Sequence, residues 1–271
     1  MPLNQHLVYL NSTIKELGIK TISYIILITL FLPKFAFAEW DLSFANIIRS
    51  YPTAFALQSK AGYGLPIWGK GGSGPLYGYL RPSLQLQTSG VINSFGGQFD
   101  FFPISFLGAY GGSRRVYRNA SELQSFDCTL LVCKSTVGHQ YLGAKMALAL
   151  GPLFLVGDLR VTRLDVKDKS RAFADETSTL IGSNGADTLR SFTTVLGFKV
   201  NESLKFGVLG VHNKMLHTPG ETTMAILFGQ KSFGEWEWLV GPGLFRGREK
   251  DRHLTVFSLL KWVPQKGLPL F

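Results

Sequence analysis

The stretch "PLYGYLRPSLQLQTSG" (75–90) alternates almost without a break. Leu76, Leu80, Leu84 and Leu86 fall on one set of positions; Tyr77, Tyr79, Arg81, Ser83, Gln85 and Gln87 fall on the other. Successive side chains of a strand point to opposite faces, so this segment has one apolar and one polar face. Two architectures use such a strand. In a soluble sandwich the leucines are the core. In a membrane barrel they touch lipid, and Arg81 and Gln85 line the lumen. No apolar run after residue 40 reaches the roughly 18 residues of a membrane-crossing helix. Yet only 17% of residues are charged, against roughly 25% in soluble domains.

The N-terminus reads as an export signal. Lys15 and Lys20 precede a twelve-residue apolar run, 21–32, and Ala36 and Ala38 occupy the −3 and −1 positions of a small-residue cleavage site. This predicts removal of residues 1–38 and a single domain over 39–271. An uncleaved anchor is the alternative, and twelve residues are short for one. The mature chain carries 25 basic and 17 acidic residues. That excess suits phosphate-rich lipopolysaccharide or an anion-attracting lumen. The basic residues are scattered and the chain is exported, so nucleic acid is not an expected partner. Cys128 and Cys133 are expected to form one disulfide, as is usual in an oxidising compartment. No histidine accompanies them, so no metal is expected there, and no motif calls for a cofactor.

Alternating segments recur along the mature chain. They lie at 40–49 (with a short helix as an alternative), 54–64, 75–90, 91–102, 104–117, 136–150, 153–164, 189–200, 204–214, 222–231, 235–245 and 253–263. Pro82 and Pro242 weaken two of them as central strands. "RAFADETSTLI" (171–181), within the polar stretch 165–187, is read as a possible strand extension. "GKGGSG" (69–74) lacks the strand-to-helix setting of a phosphate loop and reads as a flexible turn. The breaks near 103, 151–152, 201–203 and 232–234 are short; those at 118–135, 165–188, 215–221 and 246–252 are long and polar. Short turns at one end and long loops at the other characterise membrane barrels. Sandwiches have no reason to sort their loops this way.

Trp236, Trp238 and Trp262 sit at strand ends on the apolar phase, and the chain ends in Phe271. In these features the sequence resembles Gram-negative outer-membrane β-barrel proteins. The resemblance implies an outer-membrane location, lipid and lipopolysaccharide as surroundings, and a terminal aromatic that the barrel assembly machinery reads. Pro264, Gly267 and Pro269 depart from the uninterrupted final strand of that class, which puts the strand's end at Val263. Lipid cannot satisfy backbone polar groups, so the expected fold is all-β, a closed antiparallel barrel. Twelve strands are favoured; ten plus an N-terminal plug or periplasmic segment over 39–74 is the alternative.

The inward charges are the candidate site. About the Gly151-Pro152 turn, Lys145 faces Asp158 and Gly143 faces Arg160, while Arg81 is placed diagonal to Asp100. Arg81, Asp100, Lys145, Asp158 and Arg160 are therefore candidates for a charged constriction; ion pairs packing a narrow interior are the alternative. For a barrel lipase, His253 and Ser258 fall on opposite phases, and no serine shares the face of His139 nearby. For a barrel protease, Asp175 and Glu176 lie in a loop. Catalysis is accordingly not expected. The leading function is a small-solute channel. The alternatives are a surface-interaction barrel presenting 118–135 and 165–187, and a lipid-modifying enzyme.

Overall fold

In the computed structural model, the structure describes residues 39–69, 76–120, 122–123 and 126–266. The expected signal segment, most of the 69–74 turn and Phe271 lie outside the described residues. Among the described residues fourteen strands form: β1 (Glu39–Arg49), β2 (Ala54–Trp68), β3 (Gly78–Thr88), β4 (Ile92–Ile104), β5 (Leu107–Arg118), β6 (Thr136–Leu150), β7 (Leu153–Val166), β8 (Phe173–Asp175), β9 (Leu180–Gly182), β10 (Ala186–Lys199), β11 (Leu204–Met215), β12 (Glu221–Phe233), β13 (Trp236–Arg246) and β14 (Arg252–Gln265).

Twelve of them close into one antiparallel barrel in chain order, with β1 hydrogen-bonded to β14. Residues 40–49 are thus a barrel strand, so the ten-strand and helical alternatives are set aside. Closure follows from the solvent: a sheet edge in lipid would leave several unpaired N–H and C=O groups. The strands run 11–15 residues, enough for the roughly 9–11 residues of a tilted crossing.

Alternation sets which face is outside. Leu84, Leu86, Phe95, Leu142, Leu148 and Leu254 lie on the exposed outer surface, while Arg81, Gln98, Asp100 and Tyr110 turn inward. The leucines of 75–90 therefore face outward and its polar partners line the interior. Pro82 and Pro242 are both inside barrel strands, contrary to expectation. Each lacks an N–H, and each leaves a gap in only one of its two ladders. Pairing of β2 with β3 skips from Gly62↔Ser83 to Leu65↔Leu80, and that of β12 with β13 from Ile226↔Gly243 to Gly229↔Val240. On the other side both prolines stay in register, opposite Phe99 and Val256. The last strand likewise continues through Pro264 to Gln265 rather than ending at Val263.

The two rims differ in their longest loops: 119–135 and 167–185 lie at one end, although 50–53 and 89–91 there are as short as the turns opposite. At the end holding both barrel termini, four of the connections are short, at 105–106, 151–152, 200–203 and 234–235; the connection between β2 and β3 is longer. Pro103 lies inside β4, so the turn follows it. All five tryptophans gather at this turn end: Trp40, Trp68, Trp236, Trp238 and Trp262. Trp236 and Trp262 stack at 5.9 Å, and Trp262 stacks on Phe44 at 5.4 Å. Amphipathic rings of this kind seat a protein at a membrane–water boundary.

Residues 171–181 do not extend a barrel strand. They form the separate β8–β9 hairpin, which folds into the barrel mouth at the loop end. Phe173 and Leu180 are fully buried against Val116, Val137, Leu164, Leu189 and Met215, all inward-facing residues of the wall. The apolar residues of this mostly polar loop explain the fold: Phe173-Ala174 and Leu180-Ile181 gain more by entering the mouth than by lying in water. The adjoining loop clasps the hairpin. Val132 N–H donates to Ala172 O at 2.9 Å and accepts at its own carbonyl from Ala174 N–H at 3.3 Å. Cys128 and Cys133, bonded to each other, close the turn that presents Val132.

Candidate functional site

The barrel interior has two unlike walls. Strands β1 to β7 contribute a connected polar network, and β10 to β14 contribute an apolar patch.

On the polar wall, Arg81 stands directly opposite Asp100 rather than diagonal to it. The turn between β3 and β4 pairs Thr88 with Asn93, which fixes that register. Arg81 Nη1 donates to Asp100 Oδ2 at 3.0 Å, and its Nε donates to Asp41 Oδ2 at 2.7 Å. Gln98 Nε2 donates to the other Asp100 oxygen at 2.6 Å, and Tyr141 OH donates to Gln98 Oε1 at 3.3 Å. One guanidinium thus holds two carboxylates in a planar fork, the arrangement arginine supports and lysine does not. Asp41 escaped the sequence because it lies 40 residues from Arg81 and meets it only across two strand pairings.

The second cluster sits one strand pair away. Lys145 and Asp158 face each other at 3.8 Å, and Gly143 faces Arg160. Between them lies Tyr110, also missed in the sequence. Its hydroxyl donates to Asp158 Oδ1 at 2.7 Å and accepts from Arg160 Nε at 2.9 Å. Lys145 Nζ rests 4.4 Å from the Tyr110 ring centre, and the Arg160 guanidinium packs near the rings of Tyr110 and Tyr141. Two inward glycines make this possible. A Cβ at residue 62 would fall 2.5 Å from Arg81 Nη2, and one at residue 143 would enter the Tyr110 ring. An inward-phase glycine opposite a charged residue was the available signal for a side chain crossing the lumen. All five candidate residues therefore line one wall.

At the loop end the hairpin adds its own charges. Arg118 is buried and donates to Ala174 O and, at 3.3 Å, to Glu176. Burial inside the mouth, followed by the neighbouring Asp175, pushes the Glu176 carboxyl above its ordinary range; Arg118 only partly offsets this. Asp175 accepts from the Ser178 N–H at 2.9 Å and so caps the hairpin turn. Thr222 Oγ1 reaches across from β12 to Ser178 O at 2.9 Å. The turn is tethered on both sides, and Thr177 projects into the lumen from it. Arg114 Nη2 lies 3.2 Å from His139 Nδ1 beneath it; since arginine only donates, that nitrogen accepts.

Cavities remain around the hairpin. One of about 340 Å³ lies beneath Thr177, between β7, β10 to β13 and Arg49. A second of about 550 Å³ opens past Thr177 along β1 to β5 and the loop residues Glu122 and Phe126. The hairpin narrows the mouth without sealing it. On the wall facing the charges, Met224, Ile226, Phe228 and Phe245 are buried together, with Val195, Leu209, Val211 and Phe257 packed against them.

Of the residues weighed for catalysis, His139 and Asp175 line one small cavity with Arg114 and Thr177, and His253 and Ser258 stay apart. His253 faces inward against Tyr51 at 4.0 Å between ring centres. Ser258 is on the other phase, where its Oγ accepts from Trp238 Nε1 at 3.0 Å. His212 pairs with Thr223 on an exposed surface. Among the described residues no three His, Cys, Asp or Glu side chains gather into a metal site.

A closed even-stranded barrel with an apolar outside, a polar wall inside and a tryptophan belt at the turn end is the fold of Gram-negative outer-membrane β-barrels. Solved structures similar to the chain are of this kind. The NanC porin is 11% identical over 83% of this chain and 99% of its own, with a TM-score of 0.46. OmpT, an outer-membrane protein of Vibrio cholerae, is 7% identical over 83% and 98%, at 0.41. The translocator domain of the autotransporter NalP from Neisseria meningitidis is 11% identical over 93% and 97%, at 0.39. No protein-family model matches the sequence, and no curated protein does.

Proposed function

We propose that the protein is a channel of the bacterial outer membrane for small solutes, with anions favoured. The carrying observation is the pair of cavities that meet at Thr177, one opening toward the loop end and the other leading down to Asp158 and Arg160. Twelve strands lie between the side-chain-filled eight-stranded barrels and the open porins, so a narrow path beside an in-folded hairpin is the expected form. Arg49, Arg114 and Arg160 line these cavities, and a ring of such charges selects anions. Purified protein in planar bilayers separated by a tenfold KCl gradient should conduct, with a reversal potential displaced toward that of chloride. A lack of conductance from barrels that retain heat-modifiable gel mobility would end this reading.

A surface-interaction barrel is less well supported, because residues 173–182 fold inward and leave only part of 165–187 for contact. Lipid is the partner this surface suits. On the outward phase at the loop end, Arg190 faces Lys214 and Arg246 faces Arg252. Like charges set directly opposite destabilise a sheet, and lipid phosphates between them would reverse the sign. Charge reversal of Arg190 and Lys214 should lower the phosphate-bearing lipid that co-purifies with the barrel.

A further inference from the structure

The cavity beneath the hairpin is more particular than an ion path requires. Its polar side presents Arg49 and Arg160; its apolar side presents Val211, Met224 and Phe245. Both arginines are held by their Nε atoms: that of Arg160 donates to Tyr110 OH at 2.9 Å, and that of Arg49 to Pro52 O at 2.9 Å. Arg49 also lies 5.5 Å above the Phe245 ring, at the border of the two sides. Among the described residues no carboxylate ion-pairs with either guanidinium, and both arginines line the cavity. The one acid in the lining is Asp158, which is already engaged by Lys145 and Tyr110.

A pore built only to pass hydrated ions gains nothing from the apolar side, since apolar constrictions tend to dewet and close. A ligand with an apolar body gains from it, by removing Met224 and Phe245 from water. Arginine's planar fork matches a carboxylate through two parallel hydrogen bonds. The volume is in the range of small-molecule sites.

We propose that this cavity binds small carboxylates carrying an apolar body, an aromatic or branched aliphatic acid, with the carboxylate on Arg49 and Arg160 and the body against Met224 and Phe245. The proposal rests on the channel reading and names the substrate class of that channel.

The test uses folded full-length protein in detergent, titrated calorimetrically with benzoate, acetate and benzyl alcohol. Benzoate should bind at least tenfold more tightly than acetate, which lacks the body, and than benzyl alcohol, which lacks the charge. Arg49→Gln should weaken benzoate at least fivefold. Met224→Gln should weaken benzoate and leave acetate unchanged, which keeps the test intact should the arginine variant fail to fold. In bilayers, benzoate should block chloride current at the concentrations at which it binds. Equal affinities for benzoate and acetate, or benzoate binding untouched by either substitution in a folded barrel, would overturn the site. Benzoate binding by a barrel that never conducts would overturn the channel and leave the site standing.

Discussion

Lys145 and Asp158 occupy facing positions of β6 and β7, their charged groups 3.8 Å apart, with the Tyr110 hydroxyl donating to the second carboxylate oxygen. The pair is neither dry nor free in water: the two side chains are 29% and 22% exposed. Breaking a buried pair costs about 3–5 kcal/mol, and an exposed one is worth about 0–1. Asp158→Asn should therefore lower stability by about 1–3 kcal/mol, measured as a shifted urea midpoint in micelles. The Lys145→Met/Asp158→Leu double variant should recover much of it. A loss under about 0.5 kcal/mol would mean a fully hydrated lumen at this depth.

Gly143 is the clearance for Tyr110. A methyl group there meets the ring and the backbone of Leu159, and overpacking of this kind costs about 1–3 kcal/mol. Gly143→Ala should be destabilised by that amount, and the same substitution should cost less in a Tyr110→Leu background, where the ring is gone. If Gly143→Ala costs as much in the Tyr110→Leu background as in the natural chain, the ring is not what the glycine accommodates.

The barrel was legible in the sequence because lipid enforces a strict period. Leu84 and Leu86 must face one way and Arg81 and Gln85 the other, and a one-residue slip would reverse all four. The Gly151-Pro152 turn carried the register that pairs Lys145 with Asp158, since a tight hairpin fixes pairing by simple counting. Arg81 and Asp100 were read as diagonal rather than directly opposite because the break near Ser89 did not reveal where its turn begins. Asp41 and Tyr110 were illegible as site residues. Their partners lie 40 and 48 residues away, and only closure of the strands brings them together. The hairpin was missed because a three-residue strand has no measurable period; Phe173-Ala174 and Leu180-Ile181 were its only mark.

The Cys128–Cys133 bond encloses few residues, so its stabilisation of the whole barrel should fall below the roughly 3 kcal/mol of a 15-residue loop. Its effect should be local. It shapes the turn from which Val132 pairs with Ala172 and Ala174. Cys128→Ser should leave heat-modifiable mobility intact and speed amide hydrogen exchange at Ala174 at least tenfold. Unchanged exchange there would show that the hydrophobic contacts of Phe173 and Leu180 suffice to hold the hairpin.

Glu176 gives the hairpin a pH dependence of defined sign. Its carboxyl is pushed up by burial and by Asp175 when the hairpin is docked, and returns to about 4.3 when the hairpin leaves the mouth. The docked form therefore binds the proton more tightly. Its contribution to docking is fully present below the ordinary glutamate range and is lost as pH rises through the raised value. Lowering the pH through the raised value should accordingly hold the hairpin more firmly over the cavities and reduce conductance. Arg118 also donates to Ala174 O, a contact that does not involve the Glu176 carboxyl, so docking should weaken rather than fail above the raised value. Glu176→Gln mimics the protonated form. It should hold the low conductance at every pH and lose the response, as read from single-channel recordings in symmetrical KCl. Current that falls on acidification as steeply in Glu176→Gln as in the natural chain would assign the response to another group.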